Sequence, residues 1–189
     1  MTELIEETPA PEVLVRHAAS TRVEIRPGDD GQPPLVGVGQ GAVWARAEPE
    51  GPGVDIGHGA LNVVVRSGTA LFDARGGAGL VIVLRGEVEI VSAGVGAGTA
   101  RAGEAITFDA SGQVSDPDPI DAAEVALDTF VSLNLVLDAL AGVPLRLVPL
   151  APEPVGPRGA RPDGGAAPGP GGGPDPERKK RILRGRGKR

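Results

Sequence analysis

Cysteine is absent from the 189 residues, which excludes disulfides, thiolate metal sites and cysteine nucleophiles. Aromatics are almost absent: Trp44, Phe72, Phe108 and Phe130 are the full set, and there is no tyrosine. A core must therefore be built from Val, Leu, Ile and Ala, and the β-branched members of that set favour pleated, half-buried surfaces. Lysine does not occur before Lys179, so a Schiff base or a phosphate-clamping lysine is excluded from the first 178 residues. No uninterrupted apolar run reaches the ~18 residues of a membrane span. The nearest, Val125 to Leu150, is broken by Asp128, Asn134, Asp138, Pro144 and Arg146. The start of the chain is acidic (Glu3, Glu6, Glu7) and has no apolar signal-like stretch, so a cytoplasmic protein is the expectation.

What is present is unevenly spread. The net charge of −6 conceals two regions of opposite sign. All 25 acidic residues lie in 1–177 with 11 of the 19 basic ones, a net −14. Residues 178–189 hold the other eight cations and no acid, a net +8. Such asymmetry marks an interaction tail. Gly (30) and Pro (19) together make about a quarter of the chain, and the excess is concentrated after Ala151. Nothing there can fill a core, so 151–177 reads as a Pro/Gly-rich linker and 178–189 as a structureless basic tail.

Between them the dominant signal is alternation. Val13 and Val15, Val23 and Ile25, Leu61, Val63 and Val65, Leu80, Ile82 and Leu84, and Val88 and Ile90 recur at period two. That period argues half-buried strands. Gly68, Gly86 and Gly103 each follow or accompany an arginine (Arg66, Arg85, Arg101) at spacings of 18 and 17, room for two strands of ~6 residues with their turns. The expected fold is mainly β: a roll or sandwich of stacked short antiparallel hairpins over 12–150, after a mobile acidic end at 1–11. Near its C-terminal side the period changes. Asp118 and Pro119 read as a helix start, and Gly142 with Pro144 as its end. Over 119–141 the residues Leu127, Phe130, Leu133, Leu137 and Leu140 fall on one face, and Asp121, Glu124, Asp128 and Asp138 on the other. The spacing predicts one amphipathic helix that covers an open face of the sheet or docks on a partner through those five apolar residues.

Chemistry is harder to place. The two histidines, His17 and His58, have no metal-ligand spacing, and no further donors cluster in sequence with them. Both read as loop histidines. No Gly-x-Ser-x-Gly elbow or Walker loop exists. The stretch Gly94-Val95-Gly96-Ala97-Gly98 reads as a hairpin tip, and Glu87 and Glu89 as a solvated strand edge rather than an acid–base pair. No catalytic residue, metal site or cofactor is expected, and a non-enzyme is the reading. The tail (Arg178, Lys179, Lys180, Arg181, Arg184, Arg186, Lys188, Arg189) has the composition to bind a polyanion, nucleic acid or an anionic membrane surface. It has equally the charge to meet the acidic body.

The residues Gly68-Thr69-Ala70-Leu71-Phe72, Leu84-Arg85-Gly86-Glu87-Val88-Glu89-Ile90 and Ala102-Gly103-Glu104-Ala105 follow one another in an order and spacing that resembles the FecR family domain. That is the β-rich module of bacterial regulators of extracytoplasmic sigma factors. The likeness runs from Gly59 to Gly112, with the Phe one residue later than the family pattern. The family's membrane-spanning segment and N-terminal sigma-binding region have no counterpart in these residues. The resemblance thus implies a β-roll that makes protein contacts, not transmembrane iron-siderophore signalling. A second resemblance, to cupin or cyclic-nucleotide-binding jelly rolls, lacks the histidine cluster of the first and the Arg after Gly103-Glu104 of the second. Three functions follow as expectations: a regulatory module with an unknown protein partner, a tail-driven binder of nucleic acid or anionic surfaces on a β scaffold that could also self-associate, and a small-molecule sensor.

Overall fold

The computed structural model describes residues 3–29, 31–75, 77–93, 95–143 and 145, with backbone alone at 95–97. The chain divides into two units, Met1–Ala151 and Pro152–Arg189. The expectations for the linker 151–177, the tail 178–189 and an edge strand after Leu145 lie outside the described residues.

The first unit is mainly β. Among the described residues ten strands form one sheet: β1 Leu4–Ala10, β2 Val13–Ala18, β3 Arg22–Arg26, β4 Leu35–Ala47, β5 Val54–His58, β6 Leu61–Arg75, β7 Ala78–Ser92, β8 Val95–Arg101, β9 Glu104–Phe108 and β10 Asp118–Pro119. All pairings are antiparallel except β4 with β5. Helices α1 (Ala122–Val125) and α2 (Thr129–Leu140) follow.

Three strands are much longer than the hairpin reading requires. β4 has 13 residues, and β6 and β7 have 15 each. The first part of β4 pairs with β3 and β5, and the second with β2 and β6. β6 and β7 stay paired along their whole length, with register shifts on either side of the point where Gly68 faces Gly86, and such bulges bend the strands that carry them. There the glycines are corners inside continuous strands rather than turns between short ones. Gly86 has φ +77°, and a Cβ on it would lie 2.2 Å from the Ser67 carbonyl oxygen. A Cβ on Gly68 would lie 2.1 Å from that of Arg85. Only glycine permits that approach. Gly103 (φ +90°) is a true turn, between β8 and β9.

The bends fold the sheet onto itself. Val36, Ile56, Val63 and Ile90 from one half meet Val15, Val43, Phe72 and Val83 from the other in one buried cluster. Phe72 and Phe108 stack within it at 5.2 Å. A second cluster lies on the outer face of β4, β6 and β7: Trp44, Leu71, Ile82 and Leu84, covered by Ile120 and Val131. Residues 68–74 of β6 are buried on both faces for this reason. Their alternation is masked because neither face is left polar.

Two expectations about the ends of the domain change. Residues 4–10 are strand β1, paired antiparallel with β2, and not a mobile terminus. The glutamates there have partners: Glu6 receives Arg16 and Glu7 sits 3.2 Å from His17. The single helix over 119–141 is instead a strand pair and two helices. Asp118 and Pro119 pair with Ala105 and Glu104. Proline holds its predecessor extended, and its missing N–H is tolerated at a sheet edge. Asp121, not Asp118, caps α1 by accepting from the Ala123 and Glu124 amides. Asp128 then takes extended backbone angles and caps α2 through the Phe130 and Val131 amides. A capping carboxylate in the middle of the apolar pattern is what splits it.

Candidate interaction site

Helix α2 lies on the sheet by the side that the sequence pattern assigns to solvent. At 100° per residue, Val131, Asn134, Leu135 and Asp138 share one face. Of these Val131, Asn134 and Asp138 are buried. Leu133, Val136 and Leu140 project from the other side, Leu140 at 80% exposure. Leu127, in the link before α2, is 84% exposed. Of the five apolar residues expected to bind a partner, Leu127, Leu133 and Leu140 are thus exposed, while Phe130 and Leu137 are half-buried. Val136, which the sequence reading did not include, joins them at 55%.

Asp138 explains the orientation. Its carboxylate is fully buried, which is unfavourable unless it is paired and hydrogen-bonded. Three strand residues supply that. Arg16 Nη1 donates to Oδ1 at 2.6 Å, Arg46 Nη1 donates to Oδ1 at 2.8 Å, and Trp44 Nε1 donates to Oδ2 at 3.0 Å. Arg16 stands opposite Trp44 across the β2–β4 pair, and Arg46 follows two residues along β4, so all three side chains rise from one face. The network continues outward. Arg16 Nε donates to Glu6 at 2.6 Å, Arg46 approaches Glu48 at 3.5 Å, and Arg85 donates to Glu48 at 2.9 Å. Both guanidiniums on Asp138 therefore have a second carboxylate. A buried ionic cluster of this kind adds little net stability, but it penalises any other register of the helix on the sheet. Thr69 Oγ1 and Asn134 Oδ1, both buried, have no hydrogen-bond partner among the described residues.

Beside the start of α2 the outer face is not fully covered. A groove of about 490 Å³ opens there. Leu71, Leu80 and Ile82 of the sheet line it, with Val125 and Val131 of the helices. Its mouth is charged. Arg75 Nη2 lies 2.7 Å from Asp73, and Asp128 stands at the same rim. The Asp73 hydrogen bond, with the nearby Asp128 charge, holds the Arg75 pKa above its ordinary value.

The histidines lie on strands rather than loops. His17 is buried at the end of β2, between the Ala18 carbonyl and Glu7. His58 ends β5, with Nδ1 donating to the Val38 carbonyl at 2.7 Å and its ring near Phe108. Among the described residues, no three His, Cys, Asp or Glu side chains converge in a way that could hold a metal. No helix among them is long and apolar enough to cross a membrane. Glu87 is ion-paired with Arg101 at 2.8 Å on the exposed surface.

No protein-family model matches the sequence, and neither does any curated protein. The fold does have solved counterparts. Two crystal structures from Parabacteroides distasonis ATCC 8503, each described as that of a proposed anti-sigma factor, superpose with TM-scores of 0.54. The first, at 2.50 Å resolution, is 18% identical over 68% of this chain and 62% of its own. The second, at 1.65 Å, is 16% identical over 75% and 72%. This chain thus spans less than two thirds of the first structure's length. At these identities the likeness is one of fold: the mainly β architecture of this chain recurs in both.

Proposed function

We propose that this protein is a non-catalytic regulatory module that binds a protein partner through the outward apolar side of α2. One observation carries the reading: a helix anchored by a buried aspartate presents Leu133, Val136 and Leu140 to solvent, with Leu127 beside its start. Scattered surface leucines need no explanation, but several on one short helix, held outward by a dedicated ionic cluster, do. The finer reading is a FecR-like regulator in sigma-factor control. Its support is the order of the glycine motifs from Gly59 to Gly112 and the description of the two fold counterparts as proposed anti-sigma factors.

The test is a two-hybrid matrix of the full chain against the sigma factors, and the regulators that accompany them, of its own cell. At least one pair should bind and be lost in the Leu133→Asp/Leu140→Asp double variant. Absence of any pair, or binding indifferent to that variant, contradicts the proposal. The charge of the tail favours a second reading, in which Arg178 to Arg189 bind nucleic acid or an anionic surface. Deleting 178–189 should then abolish low-salt binding to DNA or to anionic vesicles, and unchanged binding removes that reading.

A further inference from the structure

The stretch of chain that carries α1 and α2 has a charge pattern that bears on the kind of partner. From Ala102 to Leu145 there are eight carboxylates and no lysine or arginine. Asp116, Asp118, Asp121, Glu124 and Asp128 among them are exposed. Asp128 lies at the mouth of the apolar groove, and the exposed Leu127 is its neighbour in sequence. An apolar recess with two carboxylates, Asp73 and Asp128, and one guanidinium, Arg75, at its rim therefore sits at the beginning of the same helix that displays the apolar ridge, and the segment carrying α1 and α2 that bounds it holds no cation.

We infer that the groove between α1–α2 and β7 takes one large aliphatic or aromatic side chain from a cationic segment of the partner protein, which crosses the start of α2 at Leu127. The inference rests on the proposed partner-binding role of α2 and names the chemistry of that partner. The recess has the dimensions of a pocket that buries a compact apolar group. Interfaces draw most of their affinity from such an anchor in a desolvated pocket. Asp128 at the rim and the cation-free α1–α2 segment that bounds the recess favour basic residues beside the anchor over acidic ones, which sets specificity and encounter rate. Asp73 is engaged by Arg75, whereas Asp128 uses Oδ1 for both of its cap bonds and keeps Oδ2 outside them, so Asp128 is the rim carboxylate assigned to the incoming cation.

The probe is a random peptide display library selected on the full chain and depleted on a groove-filled variant, Thr107→Phe, with Ala78→Phe as a second. Both positions line the groove and are exposed, so the added ring occupies the recess without entering the core. Peptides retained by the native chain and lost by both variants should be net basic and carry one large apolar residue. Asp128→Asn keeps a capping side-chain oxygen while removing the charge. It should weaken these peptides about tenfold and flatten their salt dependence. Retained peptides that are neutral or acidic, or none that distinguish the native chain from the filled variants, overturn the inference. Loss of partner binding in Leu133→Asp/Leu140→Asp with no effect of filling the groove leaves the ridge standing and removes the groove. Binding indifferent to the ridge variant removes the ridge itself.

Discussion

Inside the folded sheet, Val43, Val63, Val83 and Ile90 pack in one aliphatic cluster, and the carboxylates and guanidinium buried among the described residues (Arg16, Asp73 and Asp138) belong to the outer face. On the outer face of the same strands, Trp44 shares its layer with Arg16, Arg46 and Asp138. The two sides of one sheet are held by different physics. Burial of aliphatic area holds the inner side, at ~25 cal/mol per Å², and is indifferent to fine orientation. The outer side gains part of its hold from ion pairs and hydrogen bonds that work in only one geometry. The inner side makes the domain stable, and the outer side decides which way α2 faces.

The contrast can be broken by removing its central group. Asp138→Ala leaves the buried Arg16 guanidinium, the half-buried Arg46 guanidinium and the Trp44 N–H without their shared acceptor. Breaking a buried ionic cluster costs about 3–5 kcal/mol. Urea unfolding should show that loss, and Trp44 emission should shift to the red as α2 loosens. A loss under about 1 kcal/mol would mean that Glu6 and Glu48 alone satisfy the arginines.

The corner comes next. Gly86→Ala forces an alanine to φ +77°, against ~1–2 kcal/mol for left-handed backbone. The clash with Ser67 adds to that, since overpacking costs about 1–3 kcal/mol. The inner cluster supplies the milder counterpart: Ile90→Val should cost about 0.5–1.5 kcal/mol by the same assay. The apolar ridge then separates stability from binding. Leu133→Asp/Leu140→Asp should stay within about ±0.5 kcal/mol of the native chain, because both side chains are exposed.

The smallest expected effect lies on the far half of the sheet. Burial raises the pKa of Asp55 above its unfolded value, against the lowering influence of Arg66 and Asn62. Such a group contributes stability that is complete below the unfolded pKa and is lost as pH rises through the folded one. Asp55→Asn should therefore match the native chain near pH 3 and melt slightly higher at neutral pH. Equal melting at both values would remove the burial argument.

Much of the inner side was legible in the sequence. Leu61, Val63 and Val65, with Val88 and Ile90, mark inner-side strands by their period of two because one set of side chains must be buried, whereas Leu80, Ile82 and Leu84 mark a strand in the same way but lie in the outer cluster. The length of those strands was not, because a glycine between two alternating runs looks the same whether the chain reverses or merely bends. Only the Gly68–Gly86 register separates the two. The outer side is not legible in the sequence, for a definite reason. Asp138 belongs to a solvent face by its own chemistry, and its partners Arg16, Trp44 and Arg46 stand 122, 94 and 92 residues away. No local pattern reports a charge pair that distant. The cap at Asp128 was a readable signal, since an aspartate three residues before a buried Val131 has the spacing of an N-cap.

The orientation of α2 is the point on which the partner-binding account turns, and the absence of cysteine makes it directly measurable. Single cysteines introduced at Leu133, Val136 and Leu140, and at Val131 and Asn134, would be the only thiols in the chain. Their reaction with a water-soluble maleimide under native conditions reports which side faces solvent. The first three should react nearly as fast as in the unfolded chain, and the last two should be protected. Protection at 133 and 140 with free reaction at 134 would place the apolar stripe against the sheet and contradict the account.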